Sequence, residues 1–290
     1  MKQPLTIRET TFLWGSRTYI MGILNITPDS FSGDGKLDGS SHEQILTHAQ
    51  ALIEDGADII DIGGESTRPG NKPVTEEEEL GRVIPIIKSL RRTSNVVISI
   101  DTYKSAVAKA ALAAGADMVN DVWALSRDSA MASVIAESKA PVILMHNRLS
   151  TAEQSAVLGG RFTATSYNDI ISDIHAELQT SIDTARAAHI PDAHIIIDPG
   201  IGFGKSTEQN LELVRRMHEF RTDFPILVGP SRKSFVGYTL QLPPHERLEG
   251  TLAATTLLIE RGADIVRVHD VRAARRAAAL TDSITRSSRK

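Results

Sequence analysis

The stretch "DGADIIDI" (residues 55–62) closes a predicted helix with a glycine and opens a β-branched run that ends next to an acid. The same arrangement returns as "AGADMVND" (residues 114–121) and "RGADIVRV" (residues 261–268). In each copy the glycine (Gly56, Gly115 or Gly262) is predicted to take the left-handed conformation that terminates helices. We interpret the three copies as repeated helix-to-strand junctions, and the repeat by itself says nothing about chemistry.

Outward from these junctions, short β-branched runs alternate with longer stretches of helical period, as is typical of parallel strands joined by crossover helices. Eight strands are predicted, at residues 19–25, 59–62, 96–101, 118–121, 141–145, 194–198, 225–229 and 265–269. Eight helices are predicted, at residues 42–55, 76–92, 105–114, 129–138, 170–188, 207–220, 251–261 and 271–282. This order predicts an α/β fold, a single (β/α)8 TIM barrel spanning residues 1–290, with 1–18 as an N-terminal lead-in.

Composition excludes several classes of protein. Hydrophobic residues make up 41% and charged residues 23% of the 290, as in ordinary globular chains. The formal net charge of -4 provides no basic field for nucleic acid, and no apolar run is long enough to span a membrane. Because the chain has no cysteine, any metal would need oxygen or nitrogen ligands. We expect a cytoplasmic protein, since the N-terminus lacks the apolar core of a signal peptide.

Polar residues stand at the end of every predicted strand. In a parallel barrel these ends converge on one face, where such folds keep their active sites. The residues at these ends are Asn25, Asp61, Asp101, Asn120, Asp121, His146, Asp198, Ser231, Lys233, Arg267 and His269. Any one of them could instead cap the following helix. Asp101 has Thr102 and Ser105 nearby as alternative caps, and glycines follow Asp198, so both carboxylates are predicted to point into the mouth of the barrel.

The segment "DPGIGFGKS" (residues 198–206) is rich in glycine but is not a nucleotide-binding motif. Pro199 stands where a Walker A loop needs its first glycine, and Lys205 stands where a GxGxxG pattern needs its third. Its glycines either form a tight turn or let the backbone approach a flat ligand closely. Cationic residues near the last two strands predict an anion site, as barrels often bind phosphate there: Arg232, Lys233, Arg267 and His269.

Two loops that follow strands, at residues 26–41 and 63–75, are long and rich in turn-forming residues. Long loops in a compact domain are usually functional, so both are predicted to act as lids. A third long connection, at residues 146–169, is polar and less patterned.

Six motifs, in order and over nearly the whole chain, resemble the dihydropteroate synthase family of pterin-binding barrels. The motifs are "MGILNITPDSFS" (21–32), "DIGGESTRPG" (61–70), "SIDTYKSAVAKAALAAGADMVNDV" (99–122), "IIIDPGIGFGKS" (195–206), "GPSRKSFVG" (229–237) and "IVRVHDV" (265–271). The resemblance implies a transferase that condenses 6-hydroxymethyl-7,8-dihydropterin diphosphate with 4-aminobenzoate, giving 7,8-dihydropteroate and diphosphate with the help of Mg²⁺. It also implies a homodimer whose ligands are small molecules.

The same resemblance implies roles for individual residues. Polar strand-end residues would bind the pterin: Asp101, Asn120, Asp198 and Lys233. Apolar residues would line its pocket: Met145 and Phe203. The diphosphate would meet Arg68, Arg267 and His269, and the aminobenzoate would meet Thr67, Pro69 and Ser234. Mg²⁺ would meet Asn25, and the catalytic set that stabilises the departing charge would be Lys233, Arg68, Arg267 and His269.

Three alternatives stay open beside this interpretation. A methyltetrahydrofolate:corrinoid methyltransferase shares the pterin pocket but has little use for a diphosphate sector. A silent pterin-binding paralogue would act only as a binding module, against which the intact set of Asn25, Arg68, Lys233, Arg267 and His269 argues. An aldolase-like barrel is the third. The chain departs from the family pattern at residues 146–169, which form a longer stretch without proline, and at Gly33, an extra glycine in the first long loop.

Overall fold

Eight parallel strands form the barrel that the alternating pattern predicts. The structure is a computed structural model that describes residues 2–26, 39–65, 74–148, 166–220 and 222–286. An N-terminal antiparallel hairpin, β1 (Leu5–Ile7) and β2 (Thr10–Phe12), precedes the barrel. The barrel strands are β3 (Tyr19–Asn25), β4 (Ile59–Gly63), β5 (Val97–Asp101), β6 (Met118–Asp121), β7 (Val142–Met145), β8 (Ile195–Asp198), β9 (Leu227–Val228) and β10 (Ile265–Val268).

The strand order closes the sheet on itself. Neighbouring strands pair in parallel in the order β8, β7, β6, β5, β4, β3, β10, β9. A single parallel bridge between Ile197 and Ile226 joins the two edges, β8 and β9. The predicted (β/α)8 TIM barrel is therefore confirmed, and each predicted strand matches an observed one. The predicted strand 225–229 is the least accurate, because only Leu227–Val228 has strand geometry.

Helices cover the outside of the barrel. In the described ranges they are α1 (Gly39–Glu54), α2 (Glu76–Thr93), α3 (Ser105–Ala114), α4 (Met131–Ser138), α5 (Ile170–Ala187), α6 (Thr207–Arg216), α7 (Ser234–Leu240), α8 (Leu248–Glu260) and α9 (Val271–Thr285). The predicted helix 207–220 ends earlier, because a 3-10 turn follows at Met217–Glu219. The sequence does not predict helix α7, and none of the helices in the described ranges combines the length and apolarity of a membrane span.

Inward-facing residues at the amino ends of the strands form one apolar layer. It includes Met21, Ile59 and Ile265, and the hairpin residues Leu5 and Phe12 pack into the same layer. The hairpin thus lies across the bottom of the barrel, within the stretch predicted as a lead-in. Outward-facing strand residues such as Ile60 and Val266 pack instead against the helices in a second, larger cluster.

The three repeated junctions share one structural device. Their glycines are left-handed as predicted, with φ of 98° at Gly56, 118° at Gly115 and 104° at Gly262. The aspartate two residues after each glycine accepts the backbone N–H of a neighbouring strand or strand entry, at 2.8 to 2.9 Å. The pairs are Asp58 with Ile20, Asp117 with Ile98, and Asp264 with Ile226.

Each of these aspartates also binds a cation from the N-terminal segment. Arg17 Nη2 lies 2.6 Å from Asp58 Oδ1, Arg8 pairs with Asp117, and Lys2 pairs with Asp264. Three ion pairs on different sectors therefore fasten the hairpin segment to the bottom of the barrel.

Candidate active site

The carboxyl ends of the strands open into a cavity of about 400 Å³. Ten of the residues that the sequence predicts as site residues line this cavity: Asn25, Asp101, Asn120, Met145, Asp198, Phe203, Lys233, Ser234, Arg267 and His269. The remaining three, Thr67, Arg68 and Pro69, lie outside the described residues. So do most of the two predicted lids and of the connection 146–169, at residues 27–38, 66–73 and 149–165.

The repeated junctions deliver three of the polar side chains at the base of this cavity. In each copy the residue directly after the aspartate points into the barrel. Because side chains alternate along a strand, the residue three positions after the aspartate also points inward, one layer higher. Those residues are Asp61, Asn120 and Arg267. They bond to one another, because Asp61 Oδ2 accepts from Arg267 Nε at 2.6 Å and from Asn120 Nδ2 at 3.1 Å. The repeated unit thereby brings three interacting polar side chains together.

Asp61 is fully buried, and the sequence identifies it only as a strand-end residue. Its other oxygen, Oδ1, has no hydrogen-bond partner among the described residues. Asp61 accordingly orients Arg267 and Asn120 from below the cavity. An acid that ends an apolar run was the available signal, but the pairing could not be read from residues 206 positions apart.

Asp101 shares the same arginine. Arg267 Nη2 lies 2.7 Å from Asp101 Oδ2, so the guanidinium bridges two carboxylates and uses two of its five donors in doing so. Burial raises the pKa of Asp101, and the positive charge of Arg267 opposes that rise. Asp101 does not cap the next helix, because the first N–H of α3, that of Ser105, donates to Asp128. Asp101 lines the cavity at the end of β5 instead.

Asp198 presents a carboxylate from the next wall of the cavity. One oxygen, Oδ1, accepts the N–H of Gly200 at 2.7 Å, and the side chain is otherwise buried at the cavity surface. Burial raises the pKa of Asp198 to about 6, because the charged form is poorly hydrated there. A buried carboxylate of this kind is well suited to accept N–H donors of a bound ligand.

The cavity lining also has an apolar and cationic part. Lys233 Nζ lies 3.8 Å from the centre of the Phe203 ring, within the range of a cation–π contact. Phe203 also packs against a small buried cluster that contains Met145 and Val122. Carboxylates and an amide in the same cavity as an aromatic ring and a cation suit a flat, nitrogen-rich ring.

His269 lies at the mouth with its ring held in place. Ser231 Oγ accepts the His269 backbone N–H at 3.2 Å and lies 2.9 Å from His269 Nδ1. This geometry suits a hydroxyl that donates to Nδ1, which puts the ring proton on Nε2, where it can meet an anion. Arg232, also predicted in the anion cluster, lines the cavity but forms a two-bond pair with Asp270, at 2.6 and 3.0 Å.

A partly buried lysine, which the sequence did not single out, supports the rim. Lys104 Nζ lies 2.6 Å from both Glu65 and Glu79 and 2.7 Å from the backbone oxygen of Val74. Tyr103 donates to Glu65 as well, and Glu65 lines the cavity. Lys104 thereby holds residues on both sides of the stretch 66–73. No local pattern identifies such a role, since it depends on partners from three elements.

The fold and the cavity together describe a TIM barrel whose strand ends line a cavity with carboxylates, an amide and cations, groups that suit a flat, donor-rich heterocycle and an anion. Residues 21–269 match the family model described as "Pterin binding enzyme". A dihydropteroate synthase of Clostridium beijerinckii is 46% identical over 284 residues, which cover 97% of this chain and 100% of that protein.

Solved structures agree with that match. The dihydropteroate synthase of Clostridium difficile, crystallised in the presence of pteroic acid, is 48% identical, with a TM-score of 0.87 over 95% of this chain and 99% of that one. The Xanthomonas albilineans enzyme in complex with 7,8-dihydropteroate is 37% identical, with a TM-score of 0.83 over 97% and 98% of the two chains. The chain belongs to the pterin-binding enzymes, and within them to the dihydropteroate synthases, transferases of folate synthesis.

Proposed function

We propose that the cavity binds 6-hydroxymethyl-7,8-dihydropterin diphosphate and 4-aminobenzoate together and joins them. The observation that carries this assignment is the set of groups that line one cavity. Asp101, Asn120 and Asp198 line it together with Lys233 and Phe203, which contact each other. A pterin ring presents N–H donors along one edge and a flat π-face, which these acceptors and this aromatic, cationic pair match.

Asp198 would accept ring N–H donors through its carboxylate, and Asn120 would bond to the same ring edge. Asp61 supports this arrangement, because it fixes the Asn120 amide at 3.1 Å from below. Lys233 and Phe203 would cover the ring face. Each of these groups is held by the protein before the ligand arrives, so little ordering is needed on binding.

The reaction itself needs no protein nucleophile. The aminobenzoate nitrogen attacks the pterin methylene carbon, a C–N bond forms, and the C–O bond to diphosphate breaks with its electron pair leaving on oxygen. The amine then gives up one proton. Arg267 and His269 would stabilise the charge that develops on the departing diphosphate, which is a common use of fixed donors in a dry site. Ser234, at the start of α7, would contact the aminobenzoate, while Thr67, Arg68 and Pro69 keep the roles implied by the resemblance.

Mg²⁺ would assist by screening the diphosphate, held on the protein side by Asn25. A Cβ placed on Gly63 would lie 3.6 Å from Asn25 Oδ1 and 3.7 Å from Asp101 Oδ2, and the latter oxygen already accepts from Arg267. Oxygen ligands are those that Mg²⁺ prefers. Among the described residues no group of three acidic, histidine or cysteine side chains is arranged to hold a metal, so phosphate oxygens would have to complete the shell.

We also propose a homodimer built on the outer faces of α8 and α9, two helices that pack against each other. Large apolar side chains are exposed there: Leu257 at 44%, Leu280 at 66% and Ile284 at 70%. Exposed apolar residues that lie together on neighbouring helices are typical of a protein interface.

A turnover assay tests the proposal. The enzyme is supplied with pterin diphosphate, labelled 4-aminobenzoate and Mg²⁺, and dihydropteroate and diphosphate are quantified. Formation of both products in equal amounts supports the proposal. Binding of a pterin without any product would identify a silent paralogue, and methyl transfer from methyltetrahydrofolate to a corrinoid would identify the rival enzyme class.

A further inference from the structure

The glycine-rich segment 200–204 is wedged between two walls of the cavity. Its glycines all have left-handed backbone, with φ of 71° at Gly200, 82° at Gly202 and 60° at Gly204. A Cβ on Gly200 would lie 1.9 Å from the backbone oxygen of His146, and one on Gly202 would lie 2.7 Å from Lys233 Cδ. The segment therefore touches the end of β7 on one side and the Lys233 stem on the other, so a small shift would move the cavity wall.

The ammonium group of Lys205 lies inside the curve of this segment. Its Nζ donates to the backbone oxygens of Gly200 at 2.9 Å and Phe203 at 3.1 Å, and it lies 3.1 Å from His146 Nδ1. Lys205 is 3% exposed, and it does not line the cavity. These three partners match all three donors of an ammonium group, and a buried charge requires such pairing. Burial lowers the pKa of Lys205 to about 7, so the ammonium form depends on these acceptors.

The histidine partner is arranged to accept. His146 Nε2 lies 3.0 Å from a carboxylate oxygen of Glu177, which can only accept, so the ring proton is on Nε2 and Nδ1 carries a lone pair. Burial lowers the pKa of His146 to about 4, consistent with a neutral ring. The backbone N–H of the same histidine donates to the Asp198 backbone oxygen at 2.8 Å, so His146 also fixes the strand end that carries Asp198.

Asn210 anchors the segment from α6. Its Oδ1 accepts the N–H of Gly202 at 2.6 Å, and its Nδ2 donates to the backbone oxygen of Lys205 at 3.1 Å. The lysine that organises the segment is therefore held in place at its own backbone.

We propose that Lys205 is a positioning residue for the pterin: its ammonium group gathers the carbonyls of residues 200–203 and so fixes Phe203 and Lys233 against the ring. This rests on the proposed pterin site. Lys205 acts through Phe203 and Lys233 and touches no reacting atom. Loss of the ammonium group should therefore weaken pterin binding while leaving the aminobenzoate side of the cavity nearly unchanged.

The test compares Lys205→Met with Arg91→Met. Arg91 serves as the control, because it is a partly buried cation that also donates to backbone oxygens, those of Gly115, Ser94 and Val96, but it lies at the amino end of the barrel. With 6-hydroxymethylpterin as the probe, we expect Lys205→Met to raise the pterin Kd about tenfold or more. The KM for the pterin diphosphate should rise by a similar factor. Misplacement of a binding group by an ångström can cost up to about a hundredfold. The KM for the aminobenzoate should change less than about twofold, and Arg91→Met should lower Tm without moving either KM.

Equal pterin affinity in wild type and in a folded Lys205→Met would overturn the proposal. Absence of pterin binding by the wild type would instead overturn the pterin site itself, so the two failures are distinguishable.

A second variant covers the case in which Lys205→Met does not fold. The chain contains no cysteine, so Lys205→Cys introduces a unique thiol. Alkylation of the unfolded variant with 2-bromoethylamine builds a lysine analogue at that position, and 2-bromoethanol builds a neutral one of similar length. After refolding, beside wild type taken through the same cycle, pterin affinity should return with the amine and not with the alcohol. Equal recovery with both would show that bulk, not the ammonium group, is what the segment needs.

Discussion

Asp198→Asn offers the sharpest test of the pterin site, because the substitution keeps the shape of the side chain and removes its charge. The oxygen that accepts the Gly200 N–H at 2.7 Å can be retained, while the other oxygen becomes an amide that faces ligand donors. A hydrogen bond to a charged group contributes about 1.5–3 kcal/mol, and an unpaired buried donor costs about 1–3 kcal/mol. Because both figures count the same ligand donor, they overlap, and we expect a loss of about 2–4 kcal/mol, which corresponds to about 30- to 700-fold in Kd.

Calorimetric titration with 6-hydroxymethylpterin measures this loss, and Asp121→Asn is the matched control. Asp121 also ends a barrel strand, is also buried, and also has its pKa raised to about 6 by burial. Its two oxygens, however, accept the N–H groups of Trp123 and Leu125 at 2.9 and 2.7 Å, and it is not among the described residues that line the cavity. The control variant should bind the pterin within about threefold of wild type. A folded Asp198→Asn with wild-type affinity, or equal losses in both variants, would refute the reasoning.

The same structure supports four further predictions. Burial raises the pKa of Asp198 to about 6, so its accepting carboxylate form is lost as the pH falls through about 6. Pterin affinity should therefore fall more steeply on acidification in wild type than in Asp198→Asn. Equal pH dependence of the pterin Kd in the two proteins would contradict this. Chelation of Mg²⁺ should abolish turnover and weaken diphosphate binding but leave the Kd for a bare pterin unchanged, since Asn25 is a neutral ligand; tight Mg²⁺ binding by the ligand-free protein would contradict this. The double variant Leu280→Glu, Ile284→Glu should sediment as a monomer and wild type as a dimer, so a monomeric wild type in analytical ultracentrifugation would remove the proposed interface. Asp117 accepts a backbone N–H and pairs with two arginines, so Asp117→Asn should lower the free energy of unfolding by about 1–3 kcal/mol in urea titrations. Both KM values should stay unchanged. An unaltered urea midpoint would refute the role of Asp117 in fastening the hairpin segment.

The barrel was predictable because its signal is local and repeated. A strand of β-branched residues, a glycine that ends a helix, and the alternation between them can each be recognised within a few residues, and each occurs many times. The elements that were missed have weaker local signals. Helix α7 is only 7 residues long and contains Gly237, and the hairpin at 5–12 offers two strands of 3 residues each. Its alternating buried residues, Leu5 and Ile7, were the signal that could have identified it.

The sequence predicted which residues reach the cavity. It did not predict which residues bond to one another there. Strand ends converge by topology, so polar residues there meet whatever their order in the chain. The contacts of Lys205 with His146, and of Lys104 with Glu65 and Glu79, depend on the height and rotation of separate loops. A lone buried lysine in a sequence gives no indication of its partner until those loops are placed.

The repeated junction explains how one short pattern serves both ends of the barrel. Its aspartate, as in Asp117, lies at the bottom and has protein partners for its carboxylate, so it contributes stability. Three positions further on, one strand layer higher, the corresponding residue lies at the base of the cavity, as Asn120 does. Carboxylates near that base are buried with fewer partners, and a carboxyl whose pKa is raised in the folded state, such as Asp198, opposes folding at neutral pH. Contacts at the bottom of the barrel therefore offset a cost that the mouth incurs in order to bind a ligand, while the repeated unit keeps its aspartate and varies the residue three positions after it.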